Sequence, residues 1–155
     1  MANPNLPSTI PSTLAPVVQS YTPSVQSPAF SSIVNEVYAP VTYTTAGNIT
    51  LLPSDVLGGF ITHTAAGAEN DVLPAASLLI PAIQGAQVGS GIRFFLKAGG
   101  AGTITAVAGT GGTIVGTATV ATLNIREFLL QITALGDVNA VGATYTAYSL
   151  GTTTY

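Results

Sequence analysis

The chain has 155 residues, of which 47% are hydrophobic and only 6% charged, with three basic and six acidic side chains and a net charge of −3. Ordinary soluble domains are about 25% charged. Three cations, Arg93, Lys97 and Arg126, cannot neutralise a run of phosphates, which sets nucleic-acid binding aside, and the absence of cysteine removes both disulfides and thiol chemistry.

Residues 1–40 carry seven of the ten prolines, at Pro4, Pro7, Pro11, Pro16, Pro23, Pro28 and Pro40. Each fixes φ, removes a backbone donor and pushes its predecessor toward extended geometry. The spacing leaves no room for a helix or a central strand, so an extended, partly polyproline-II arm is expected. Disordered linkers are poor in apolar side chains, whereas this segment places Leu6, Ile10, Leu14, Val17, Val18, Tyr21, Val25 and Phe30 among Ser, Thr and Gln, with Ile33 and Val34 beyond. No charge precedes Glu36. These eight side chains, Leu6 to Phe30, are the expected partner-binding residues of a docking strap.

From Val41 to the end, short β-branched and aromatic runs alternate with Gly, Asn and Asp, which predicts a second part, residues 41–155, made of strands. The expected strands are Val41–Thr45, Ile49–Leu52, Gly59–Thr64, Gly91–Ala98, Gly102–Ala108, Thr113–Val115, Ala118–Leu123, Arg126–Thr133 and Tyr145–Leu150. Their spacing, with turn signals at Ala46-Gly47-Asn48, Gly99-Gly100, Gly109–Gly112 and Gly136-Asp137, predicts an all-β body: an antiparallel β-sandwich or jelly-roll-like domain. One short helix is expected over Ala75–Gln84, limited or kinked by Pro81. Alternation puts Phe94 and Leu96 on one face and Arg93, Phe95 and Lys97 on the other, and it sets Phe128, Leu130 and Ile132 against Glu127, Leu129 and Gln131. Arg93 and Lys97 on one strand and Arg126 and Glu127 on another are candidates to pair across the sheet. Thr-x-Thr pairs recur at irregular intervals, so no solenoid repeat is expected.

Groups able to carry chemistry are few. His63, the single histidine, falls on a strand and reads as a surface or interface residue. A hydrolase would have to join it to Asp55 or Asp71 and a serine, and no Gly-x-Ser-x-Gly elbow is present. Glu69-Asn70-Asp71 reads as a turn and helix cap, with a Ca²⁺ or Mg²⁺ site as the alternative. Gly109–Gly112 lacks the lysine and the following helix of a phosphate loop, so a hairpin turn is expected. Without tryptophan, Tyr145, Tyr148 and Tyr155 offer at most a small sugar platform. The expectation is a non-enzyme with no catalytic residue, metal or cofactor.

The segment Asp71-Val72-Leu73-Pro74 leading into AASLLIPAI, then Ala86–Gly116, then Thr117–Leu135 and a Tyr/Thr-rich last strand, resembles the β-sandwich module of tailed-bacteriophage capsid decoration (cement) proteins and head fibres. The resemblance spans roughly residues 55–150, and the proline-rich arm departs from it. It implies a viral structural protein on the outside of the virion capsid, bound to the major capsid protein and self-associating, often as a homotrimer. The alternative it leaves is a fibre or adhesin module for a host-surface glycan. No run approaches the ~18 apolar residues of a membrane span, and the opening MANPNLPSTIPSTLAP lacks the basic and apolar blocks of a secretory signal. Synthesis in the host cytoplasm and no membrane partner are therefore expected.

Overall fold

The structure is a computed structural model that describes residues 38–154, all within one compact unit, Val37–Tyr155. The expected strap residues, Leu6 to Phe30, and Tyr155 lie outside the described residues.

The body is mainly β. Ten strands follow in chain order: β1 Val41–Tyr43, β2 Ile49–Thr50, β3 Phe60–His63, β4 Ala68–Val72, β5 Gly91–Ala98, β6 Thr103–Val107, β7 Gly112–Val115, β8 Thr119–Val120, β9 Asn124–Ala134 and β10 Thr144–Thr154. They form a six-stranded sheet in the order β1-β3-β5-β9-β10-β7 and a four-stranded sheet in the order β2-β4-β6-β8. Odd-numbered strands lie in the first sheet and even-numbered ones in the second, except that β10 returns beside β9. Every connection from β1 to β9 therefore switches sheets.

This topology corrects the antiparallel expectation. Both sheets are mixed: β1 with β3, β3 with β5, β2 with β4, β4 with β6 and β7 with β10 pair in parallel, while β5–β9, β9–β10 and β6–β8 are antiparallel. A parallel neighbour needs a crossover, and from β1 to β6 each crossover passes through a strand of the other sheet, while β7 reaches β10 by way of β8 and β9. The connections at Ala46-Gly47-Asn48, Gly99-Gly100 and Gly109–Gly112, the last read in the sequence as a hairpin turn, are corners between sheets, whereas Gly136-Asp137 joins β9 to β10 within one sheet.

From Val41 to Val107 the chain winds three times through both sheets. Ile61 lies opposite Leu96 and Asp71 opposite Ala106, so the second and third windings stack at a constant offset of 35 residues through strand, corner and strand. Between the first and second the offset is 20 residues at Val41–Ile61 and 22 at Ile49–Asp71. Unequal returns, one holding a helix α1 (Pro53–Leu57) and the other a helix α2 (Ala76–Leu79), hide this coil from a search for a fixed period.

The corners stack backbone on backbone. The N–H groups of Gly99, Gly102 and Thr103 donate to the carbonyls of His63, Ala65 and Gly67 at 2.8, 2.9 and 3.0 Å. A Cβ on Gly100 would strike Ala65, and one on Gly102 would strike Gly67, both at main-chain atoms. These two glycines let the third winding lie on the second.

The expected helix survives in part. α2 is a single turn that tightens at Ile80–Ala82 into a 3-10 turn containing Pro81. The second short helix, α1, starts at Pro53, and Asp55 accepts a hydrogen bond from the Leu52 N–H at 2.7 Å. Proline at the first position with a carboxylate in the first turn is a start signal present in the sequence.

Inward-facing side chains of both sheets belong to one hydrophobic cluster. It includes Ile61, Phe94, Leu96, Phe128, Leu130 and Tyr145 from the larger sheet and Ile104, Ala106 and Val120 from the smaller. Phe94 and Phe128, register partners, stack at 5.1 Å with their rings 10° apart. The alternation expected on β5 and β9 is the one observed.

Candidate partner-binding groove

The inner faces hold one polar element. On β4, alternation turns Glu69 and Asp71 inward and Asn70 outward, so the three do not converge as cation ligands. The expected turn and cap are a strand. Opposite, on β3, His63 also points inward and is fully buried, which corrects its reading as a surface or interface residue.

His63 Nδ1 lies 2.7 Å from Asp71 Oδ1, and Nε2 lies 3.1 Å from the Thr45 carbonyl and 3.1 Å from Glu69 Oε2. Both ring nitrogens therefore face oxygen atoms. The Nε2 hydrogen bond goes to Thr45, leaving Glu69 Oε2, like Asp71 Oδ2, buried without a hydrogen bond. Burial pushes the Asp71 carboxyl up from its ordinary value, against the lowering effect of the His63 hydrogen bond. Glu69 is held below its ordinary value, chiefly by the Gly47 backbone N–H and also by Ala66 and His63. The cluster ties the β1–β2 corner, β3 and β4 together. With His63 and Asp71 at 0% exposure and the ring's partners taken, it presents no surface to a substrate.

Tyr43 extends this polar seam. Its ring meets His63 edge-on at 6.5 Å, and its hydroxyl donates to Asp55 Oδ2 at 2.6 Å. Burial, with the Asp55 hydrogen bond and charge, raises the phenol to about 12. A raised phenol stabilises the fold fully below its ordinary value near 10 and loses that contribution as pH rises through about 12. In a tyrosinate absorbance titration, Tyr43→Phe is expected to remove part of the latest-titrating signal and to cost about 1 kcal/mol at neutral pH. An unchanged titration curve would refute the assignment.

The outer face of the larger sheet carries Arg93, Lys97 and Glu127, and beside them an aromatic patch. Phe60 on β3 and Phe95 on β5 are register partners with ring centroids 6.1 Å apart, and the Tyr38 ring lies 6.3 Å from Phe95. Tyr38 is seated by Gly59, where a Cβ would come within 2.6 Å of its ring, and the next residue, Ala39, donates its N–H to the Gly58 carbonyl. Sequence reasoning placed Tyr38 and Ala39 in the arm. Both make contacts with the body.

Ile125 and Glu127 on β9 and Leu150–Thr153 on β10 complete a groove of about 520 Å³. A bulge between Ser149 and Gly151 adds Leu150 to β10, and Gly151, opposite Glu127, has open space where a side chain would stand. β7 pairs with β10 only from Tyr145 to Tyr148, so among the described residues the last part of β10 pairs with β9 alone. Glu127 in the groove lining pairs with exposed Arg93 at 2.8 Å, one of the cross-strand pairs expected from the sequence.

The remaining candidates go elsewhere. Tyr145 is buried, accepting from the Gly109 N–H at 3.2 Å and donating to the Pro74 carbonyl at 3.0 Å, so it forms no sugar platform. Gly109–Gly112 is a corner from β6 to β7, not a hairpin within one sheet, and a strand follows it. The groove was not singled out in the sequence, although the alternation that turned Phe95 outward was its signal. Comparison with protein-family models, with curated proteins and with solved structures finds no match to this chain.

Proposed function

We propose that the chain is a virion structural protein, a capsid decoration or cement subunit whose two sheets form the layers of a sandwich-like body and whose arm docks on protein. The observation that carries the reading is the apolar groove on an outer sheet face of a chain with nine charged residues. Such a surface gains by being covered, since fully burying a Phe, Leu or Ile side chain is worth about 1.5–3 kcal/mol. Repetition over a lattice multiplies weak anchors by avidity. The proposed partners are the major capsid protein and two further copies of the chain, on the capsid exterior.

The adhesin alternative has less support. Phe60 and Phe95 are inclined by 34°, and Tyr38 and Phe95 by 54°, so the three rings present no flat face for a sugar to stack on.

Sedimentation of the full chain with and without empty heads tests the proposal. The expected result is a trimer that co-sediments with heads, and a chain lacking residues 1–35 that keeps its circular dichroism spectrum but binds heads at least tenfold more weakly. A stable monomer that ignores heads, or one that binds a glycan array, would overturn it.

A further inference from the structure

The groove and the arm fit one another chemically. Proline-rich segments in polyproline-II geometry dock into aromatic-lined grooves because their shape is preformed and costs little entropy to order. The groove is walled by three aromatic rings, and its volume of about 520 Å³ is in the range of ligand-binding clefts. From β3 to β10 it crosses three strand spacings, about 14 Å, the length of roughly five polyproline-II residues.

The chain supplies such a ligand. Thirty-seven residues precede Tyr38, six of them prolines, and no charge occurs before Glu36. Tyr38, the first described residue, is one wall of the groove. Of the 37 residues before Tyr38 only Glu36 is charged, so residues 4–30 would bring no carboxylate to Glu127 in the groove. At about 3.1 Å per residue that neutral stretch has the reach to leave its own body.

We infer that the groove formed by Tyr38, Phe60, Phe95, Ile125 and Gly151 receives the proline-rich arm, residues 4–30, of a second copy of this chain. The inference rests on the proposed assembly role and names the surface through which copies link.

The test uses the full chain. A photo-crosslinking residue replaces Ile125, the variant is mixed with isotopically heavy wild-type chain, irradiated and digested with chymotrypsin, and conjugates are identified by mass. Conjugates between the light groove and heavy peptides from residues 4–30 are expected. They should fall at least tenfold when Gly151→Trp, built into open space away from the core, fills the groove. The same photo-residue at exposed Thr113, outside the groove, should give none. Conjugates confined to a single chain, conjugates to body peptides only, or a yield indifferent to Gly151→Trp would each overturn the inference. Head binding, measured on the same samples, separates the two ideas. Retained binding without arm exchange removes this inference alone, and arm exchange without binding removes the decoration role alone.

Discussion

His63→Ala is expected to destabilise the body by about 3–5 kcal/mol, the usual consequence of removing one partner from a buried charged cluster. For a body of this size that corresponds to a fall of roughly 10–20 °C in Tm. The loss comes from what is left behind. Asp71 and Glu69 remain on the inner face of the smaller sheet without the imidazole between them, and Asp71 Oδ2 and Glu69 Oε2 already lack a hydrogen bond in the native cluster.

The pH dependence has a definite sign. Asp71 already has a raised pKa, so its contribution to stability is greatest below the ordinary carboxylate value and declines as pH rises through the raised one. Removing His63 takes away the hydrogen bond and charge that hold Asp71 down, which steepens that decline. Glu69 normally contributes stability above its ordinary value and loses it in acid, and it too loses the lowering effect of His63. Between pH 4 and pH 5.5, below the ordinary histidine range, the difference in Tm between wild type and His63→Ala should therefore grow as pH rises. Thermal melts followed by circular dichroism measure it, and a small, pH-independent difference would show that the cluster does not hold the sheets.

Gly102→Ala should also be severe, and Gly67→Ala should not, although the two glycines occupy equivalent corners of consecutive windings. A Cβ at position 102 meets main-chain atoms of Gly67, including its N at 2.6 Å, whereas one at position 67 meets nothing within 4 Å. Backbone cannot rotate aside as a flexible side chain can. Overpacking of this kind costs about 1–3 kcal/mol and at times more, and here separation of the windings would also strain the hydrogen bonds from Gly102 to Ala65 and from Thr103 to Gly67. Gly67→Ala is expected to fall within about 1 kcal/mol of wild type, on the stabilising side if its loss of unfolded-state entropy dominates. Urea titrations of both variants test the stacking. Equal effects would mean that the corners do not lie on one another.

These two sites show where sequence reasoning stopped. Alternation on β5 and β9 was legible because Phe94, Leu96, Phe128 and Leu130 recur at every second position, and a strand's period of two gives the face directly. β4 was not legible: its inward positions are Glu69 and Asp71, so a buried strand carried the pattern of an exposed turn. His63, arriving from the other sheet, meets Asp71, and backbone N–H groups of Gly47 and Ala66 meet Glu69, which together admit those carboxylates inside.

The amino-acid sequence by itself determined the strand-rich composition, the places where most strands break, the inward and outward faces of the longest ones, and a charged fraction of only 6%. Tertiary structure alone decided that consecutive strands alternate between two sheets and pair in parallel. It also decided that Gly100 and Gly102 mark stacked corners, and that Tyr38, Phe60, Phe95 and Ile125 meet in one groove. The physical reason is range. Propensity and alternation act over neighbouring residues, whereas pairing, stacking and groove formation join positions 20 to 35 or more residues apart, and nothing in a local pattern specifies which strand will lie beside which.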